Sequence, residues 1–130
     1  MANPNIVNVT AIYGTTTYYV PSGTTAVVLL ANAASSGLVY KINQIVVANT
    51  TGSAANATVS IYSNGAVAQG SAPSGGTAYP VVSAVSVPAN ASLIAVDKTT
   101  AIYLMEGTSI SITSGTSNAL TFSISYENIS

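Results

Sequence analysis

Histidine and cysteine are absent from this 130-residue chain, and only five residues carry a full charge: Lys41, Asp97, Lys98, Glu106 and Glu127. Proton transfer, nucleophilic catalysis and transition-metal binding draw mainly on the residue types that are missing or scarce here. A nucleophilic serine or threonine needs a neighbouring base, and the chain has two lysines and no histidine to supply one. The three carboxylates show no spacing of a calcium loop, and Asp97 and Glu106 sit in text that reads as turns. No enzymatic activity, cofactor or metal is expected.

The formal charge of −1 provides no basic field to displace counterions from nucleic acid, so no nucleic-acid partner is expected. No apolar run approaches the roughly 18 residues that span a bilayer, and Met1-Ala2-Asn3-Pro4-Asn5 reads without the basic and apolar regions of a secretory leader. No membrane partner is expected either. An ordinary soluble domain carries charge on about a quarter of its residues. A chain with 4% is poorly guarded against self-association and reads as a building block.

What is present is a hydrophobic fraction of 48%, rich in valine, isoleucine and alanine and interleaved with serine and threonine. Strong helix formers never gather at a 3.6-residue period. The two-residue period is clear instead. Leu120, Phe122, Ile124 and Tyr126 alternate with Thr121, Ser123, Ser125 and Glu127; Val59 and Ile61 alternate with Thr58, Ser60 and Tyr62; Ile110 and Ile112 alternate with Ser109, Ser111 and Thr113. Further strand-like runs cover residues 6–13, 16–20, 25–30, 38–48, 81–87, 93–96 and 101–104, separated by turn formers such as Gly14, Pro21-Ser22-Gly23, Asn64-Gly65 and Glu106-Gly107. The fold class is therefore all-β, a single two-sheet β-sandwich over residues 1–130, with a jelly roll the first expected topology and an immunoglobulin-like one the second.

Two segments fall outside that pattern. Residues 1–7 read as an N-terminal arm because Asn3-Pro4-Asn5 resists helix and central-strand pairing, and residues 65–80 read as a long loop or mobile tip rich in glycine, proline and small polar residues. They supply the candidate assembly contacts: Asn3, Pro4, Asn5, Ile6 and Val7 in the arm, and Gly70, Pro73 and Tyr79 in the loop. Eight tyrosines add apolar faces with hydroxyl tips, useful at protein interfaces and for stacking on sugar rings. Five Asn-x-Ser/Thr triplets, at Asn8, Asn49, Asn56, Asn90 and Asn128, are what chance provides in a chain this rich in asparagine, serine and threonine.

Three stretches carry a wider likeness. With Met1-Ala2-Asn3-Pro4-Asn5-Ile6-Val7-Asn8-Val9-Thr10, Tyr40-Lys41-Ile42-Asn43 and Ser125-Tyr126-Glu127-Asn128-Ile129-Ser130 taken together, the chain resembles a family of small structural proteins of marine tailed phages, especially cyanophages. The most distinctive text is residues 87–98, Val87-Pro88-Ala89-Asn90 onward to Asp97-Lys98, followed by Ile102-Tyr103-Leu104-Met105-Glu106-Gly107-Thr108. Where family members are more acidic around that last turn and often basic after it, this chain has Met105 and Thr108 and no arginine. The resemblance implies a non-enzymatic virion component, a capsid decoration or cement protein at the outer surface of the head, or else in the neck or tail. The implied partners are the major capsid protein and copies of the chain itself, in a trimer or another symmetric homo-oligomer. The alternative expectation is a glycan-binding or host-adhesion module on a tail, neck or head fibre, using exposed tyrosine and asparagine side chains.

Overall fold

The computed structural model describes residues 10–130, so the arm candidates Asn3, Pro4, Asn5, Ile6 and Val7 lie outside the described residues. Among the described residues nine strands form: β1 (Ile12–Tyr19), β2 (Val27–Asn32), β3 (Val39–Asn49), β4 (Ala55–Tyr62), β5 (Ala78–Val87), β6 (Ser92–Val96), β7 (Ile102–Leu104), β8 (Thr108–Ser114) and β9 (Leu120–Ile129). They make two antiparallel sheets that pack as a β-sandwich. Sheet A has the order β1-β9-β3-β6, with β7 also on β3, and sheet B has the order β2-β8-β4-β5. Every connection except β4 to β5 and β6 to β7 crosses from one sheet to the other.

The two-residue period places the core. Phe122, Ile124, Ile45, Val47, Val59, Ile110 and Ile112 are fully buried between the sheets, and at about 1.5–3 kcal/mol per large apolar side chain such burial is the main force holding them together. In β3 the alternation is broken once. Asn43 is an extra residue between the pairs Ile42↔Tyr126 and Gln44↔Ser125, which lets both Ile42 and Ile45 face the core at a spacing of three.

Two sequence expectations are corrected. Gly14 is not a turn: it lies inside β1, opposite Glu127, and β1 runs through it with eight consecutive pairs to β9. The run of residues 6–13 and the run of residues 16–20 therefore share one strand over their described part. Glycine is tolerated there because an edge position needs no side chain to pack.

The second correction concerns residues 65–80. The strand β5 begins at Ala78, so Tyr79 and Pro80 belong to the sheet, and the connection before them is fastened rather than free. Gly70 N–H donates to the Val28 carbonyl at 2.9 Å, Val28 N–H donates to the Ser71 carbonyl at 2.9 Å, and Gln69 Nε2 donates to the Leu29 carbonyl at 2.9 Å. Ser109 Oγ donates to the Asn64 carbonyl, and Tyr62 Oη bonds both the carbonyl and the N–H of Gly76 at 3.0 Å. The loop thus reaches from β4 past β8 to the outer edge of β2. Ser60, Ser109, Ser111, Val28 and Tyr62, on the side of sheet B away from the core, are accordingly buried. Serines that the alternation alone would leave in water are packed under the chain's own loop.

Gly65 begins this excursion under severe constraint. A Cβ there would stand 2.2 Å from the Asn32 carbonyl oxygen and 2.7 Å from that of Thr108, both backbone atoms that cannot swing aside. Gly65→Ala is expected to destabilise the fold at the upper end of the roughly 1–3 kcal/mol typical of overpacking. Urea unfolding checks this: a midpoint unchanged from the parent chain would show that the loop base shifts freely.

Candidate functional site

Among the described residues no segment crosses the outer face of sheet A, although Val39 and Ile129 at one end of it are buried. Its side chains fall into cross-strand rows: Tyr18, Ser123, Val46 and Ile94; then Thr16, Ser125 and Gln44; then Gly14, Glu127, Lys41 and Tyr103; then Ile12, Ile129 and Val39. The corners are apolar and open, with Tyr18 71%, Ile94 59%, Ile12 52% and Tyr103 49% exposed. Between them lie small hydroxyls, of which Thr16 Oγ1 and Ser125 Oγ are 3.0 Å apart.

Charge on this face is confined and largely self-compensated. Lys41 and Glu127 are direct cross-strand partners with Nζ 3.9 Å from Oε2, and Asn43 Nδ2 donates to the same oxygen at 3.4 Å. Glu127 therefore faces outward, as its place after the apolar run suggested, but it is paired. At about a third exposed, this pair is worth within roughly 1 kcal/mol and does not organise the fold.

One notch interrupts the face. The strands β6 and β7 are two halves of a single edge strand along β3, pairing with Ile45–Ala48 and Tyr40–Ile42 respectively, and the chain leaves the sheet between them, opposite the Asn43 bulge. The excursion contains a 3₁₀ turn, Lys98–Thr100. Asn43, Gln44, Asp97, Lys98 and Ser125 line the resulting cleft of about 340 Å³. Asp97 caps the turn, accepting from Thr99 N–H at 3.0 Å and from the Thr99 hydroxyl, while Asp97 N–H donates to Thr100 Oγ1 at 3.3 Å. The Asp97–Lys98 pair is thus a turn device, as the sequence indicated. The Thr99 hydrogen bonds hold the Asp97 carboxyl below its usual range.

Because that folded-state value is depressed, the cap is present above the ordinary aspartate range and is lost as pH falls through the lowered one. Thr99 amide hydrogen exchange, with intrinsic rates corrected for pH, is expected to accelerate only on acidification. Equal protection of Thr99 across that range, or in Asp97→Asn at neutral pH, would refute the capping role.

A second cleft, of about 280 Å³, opens between the sheet edges and is lined by Thr17, Leu29, Leu30, Ala31, Ala68, Gln69 and Tyr126. Gln69 bridges it, donating to Thr17 Oγ1 at 3.2 Å as well as to Leu29. Tyr126 stacks at a tilt on Tyr40 with centroids 5.0 Å apart, and burial raises both phenols above the usual tyrosine range, so neither acts as a base near neutral pH.

The loop candidates are not brought together. Gly70 adopts a left-handed φ of 88° against the Tyr19 ring, 3.2 Å from where a Cβ would stand, and its task is to seat the loop on β2. Pro73 is partly buried in the same loop, and Tyr79 is exposed on β5, the far edge of sheet B from β2. The exposed tyrosines Tyr13, Tyr18, Tyr79 and Tyr103 lie on three strands and line neither cleft.

Two residues that sequence reasoning passed over join the sheets. Asn32, at the end of β2, donates through Nδ2 to the Leu38 carbonyl at 2.9 Å and to the Leu104 carbonyl on β7 at 3.0 Å, and its Oδ1 accepts from Ser36 Oγ. Asn49, at the end of β3, donates to the Ser53 carbonyl at 2.8 Å and to the Val87 carbonyl on β5 at 3.0 Å, and its Oδ1 accepts from Thr51 N–H and Oγ1. Each is buried and each spans from one sheet to the other. Asn49 was visible only as part of a chance-level Asn-x-Thr triplet; the available signal was an asparagine directly ending a buried apolar run, Leu29-Leu30-Ala31-Asn32 and Val46-Val47-Ala48-Asn49. Comparison with protein-family models, with curated proteins and with solved structures returns no match.

Proposed function

We propose that this chain is a non-enzymatic virion structural protein of a tailed phage, a capsid decoration or cement protein that lies on the outer surface of the head. In this role it binds the major capsid protein and copies of itself, in a trimer or another symmetric homo-oligomer. One observation supports this above others: among the described residues the chain's own loop crosses the β2, β8 and β4 part of the outer face of sheet B, whereas no segment crosses the Tyr18-to-Ile94 and Thr16-to-Gln44 rows on the outer face of sheet A, and those rows hold no charged side chain. Such a face docks on protein at low desolvation cost, because hydroxyls find hydrogen-bond partners more readily than ions find compensation. Cementing follows from area: contacts that straddle two shell subunits must be broken before the subunits part.

Reconstruction of the particle that encodes the chain tests this directly. Density for the sandwich across capsid-subunit joints is the expected result; absence from the particle, or a place only at a tail tip on polysaccharide, would overturn it. Tyr18→Lys and Ile94→Lys are expected to lower incorporation at least tenfold with unfolding midpoints unchanged, and removal of residues 1–7 tests the proposed arm in the same assay. Since few ion pairs are available to screen, bound protein should resist release by salt up to about 1 M, where the screening length falls to roughly 3 Å. Release by moderate salt would contradict an uncharged interface.

The alternative, a glycan-binding or host-adhesion module, draws on the polar notch, whose Asn43, Gln44, Asp97 and Lys98 are side-chain types that hydrogen-bond sugar hydroxyls. Retention on host-surface polysaccharide that Gln44→Ala abolishes would select that reading.

A further inference from the structure

The four outer edges of the sandwich are not alike. The edge of β2 is occupied by Gly70 and Ser71 of the loop. The edge strand β5 contains Pro80, a left-handed Ala84 whose N–H goes to Thr58 Oγ1, and two register shifts, all of which spoil it as a template. The edge formed by β6 and β7 is broken by the 3₁₀ turn at Lys98–Thr100. Only β1 presents a straight edge: eight residues without charge, proline or bulge, and with no loop bonded to its backbone among the described residues.

Its available groups can be identified. Ala11 and Ser130 exchange backbone bonds, N–H to carbonyl in both directions, so along the antiparallel ladder the odd residues of β1 turn their polar groups to β9. The even residues Ile12, Gly14, Thr16 and Tyr18 turn theirs outward.

We propose that β1 pairs antiparallel with β1 of a second copy of this chain, about a two-fold axis at Thr15, joining two A sheets into one. A two-fold axis normal to the sheet keeps the outer faces on one side, so residues of equal parity must oppose one another. Centring on Thr15 is the register that satisfies every outward group: Ile12 faces the partner's Tyr18, and Gly14 faces the partner's Thr16. The same register lays the exposed Ile12 side chain on the exposed Tyr18 ring, a β-branched and aromatic cross-strand pair, at both ends of the contact. No like charges meet, because β1 has none. A second copy is the occupant this edge fits because the two apolar residues on its outer face, Ile12 and Tyr18, stand symmetrically about the midpoint and complement each other.

Eight residues a side fall short of the roughly 20–30 of a stable interface, so the dimer is weak in solution and strengthens where neighbouring copies are held close, as on a shell. The geometry stands whether or not the chain decorates a capsid, and its test uses the purified protein alone.

Thr15 opposes itself as a non-hydrogen-bonded pair with Cα atoms about 4.5 Å apart, inside the roughly 4.4–6.8 Å window for a disulfide. The parent chain has no cysteine to compete. With oxidised glutathione, Thr15→Cys is expected to form covalent dimer at least tenfold faster than Ser117→Cys, an exposed loop control. Sedimentation velocity should show a concentration-dependent dimer that Thr16→Pro weakens at least tenfold, with Tyr18→Lys as a second variant should the proline perturb the fold. A monomer at every concentration, a dimer or trimer indifferent to both variants, or cross-linking of Thr15→Cys no faster than the control would overturn the proposal. Preferential cross-linking through Thr16→Cys would overturn the register.

Discussion

Asn32→Ala is expected to destabilise the protein by about 3 kcal/mol, although it removes neither a charge nor a large apolar group. The Leu38 and Leu104 carbonyls both lose their side-chain donor inside the fold, and a buried polar group left without a partner costs about 1–3 kcal/mol. At this chain length that corresponds to roughly 3–5 °C of melting temperature per kcal/mol. The sign of a pH effect separates lost hydrogen bonds from lost volume. Asn32→Asp keeps the shape but turns acceptor oxygens toward two carbonyls, so its folded-state pKa must lie above the unfolded one. Its stability should then rise as pH falls, where the protonated acid again donates one bond. A variant that is as stable as the parent at neutral pH, or that weakens on acidification more than the parent does, would show that Asn32 does not hold the carbonyls. Asn49→Ala should behave alike, because Asn49 repeats the arrangement between β3 and β5. The Lys41–Glu127 ion pair, by contrast, is expected to matter little, because both side chains are about a third exposed.

Phe122→Ala should have the largest effect, about 3–5 kcal/mol. This is the sole phenylalanine of the chain, fully buried on the central strand β9, paired with Val47 on one side and Tyr19 on the other. Its neighbours are strand residues held in register by two ladders, so the cavity cannot collapse far. Guanidinium unfolding with an unchanged slope would assign the loss to the native core. A loss below about 1 kcal/mol would mean that the sheets close over the gap.

Much of this was legible in the residues. The period of two in Leu120 to Tyr126 and around Ile110 and Val59 predicted strands with one apolar side, and the turn at Asp97-Lys98 lies where its chemistry placed it. The open face was not legible. Alternation states only that two sides differ, and Thr121, Ser123 and Ser125 of β9 read like Ser109, Ser111 and Thr113 of β8. Gly14 read as punctuation because glycine breaks most strands, yet an edge position makes no demand on its missing side chain. Residues 65–80 read as a long loop or a mobile tip because nothing local reveals that Gly70 and Ser71 bond Val28, some forty residues earlier in the chain.

Composition and periodicity alone determine that this chain is all-β, that its core is built from valine, isoleucine and leucine, and that its polar surface is made of hydroxyls rather than charges. They do so because both are local properties: the side-chain period follows from backbone geometry, and charge is counted directly. Which serines meet water was decided only by the tertiary structure. The seryl side of β8 is buried because a loop from β4 crosses it to reach the β2 edge, whereas the seryl side of β9 stays open because no described segment crosses sheet A. That choice depends on contacts between residues distant in sequence, and among the described residues it leaves one sheet face and one strand edge uncrossed.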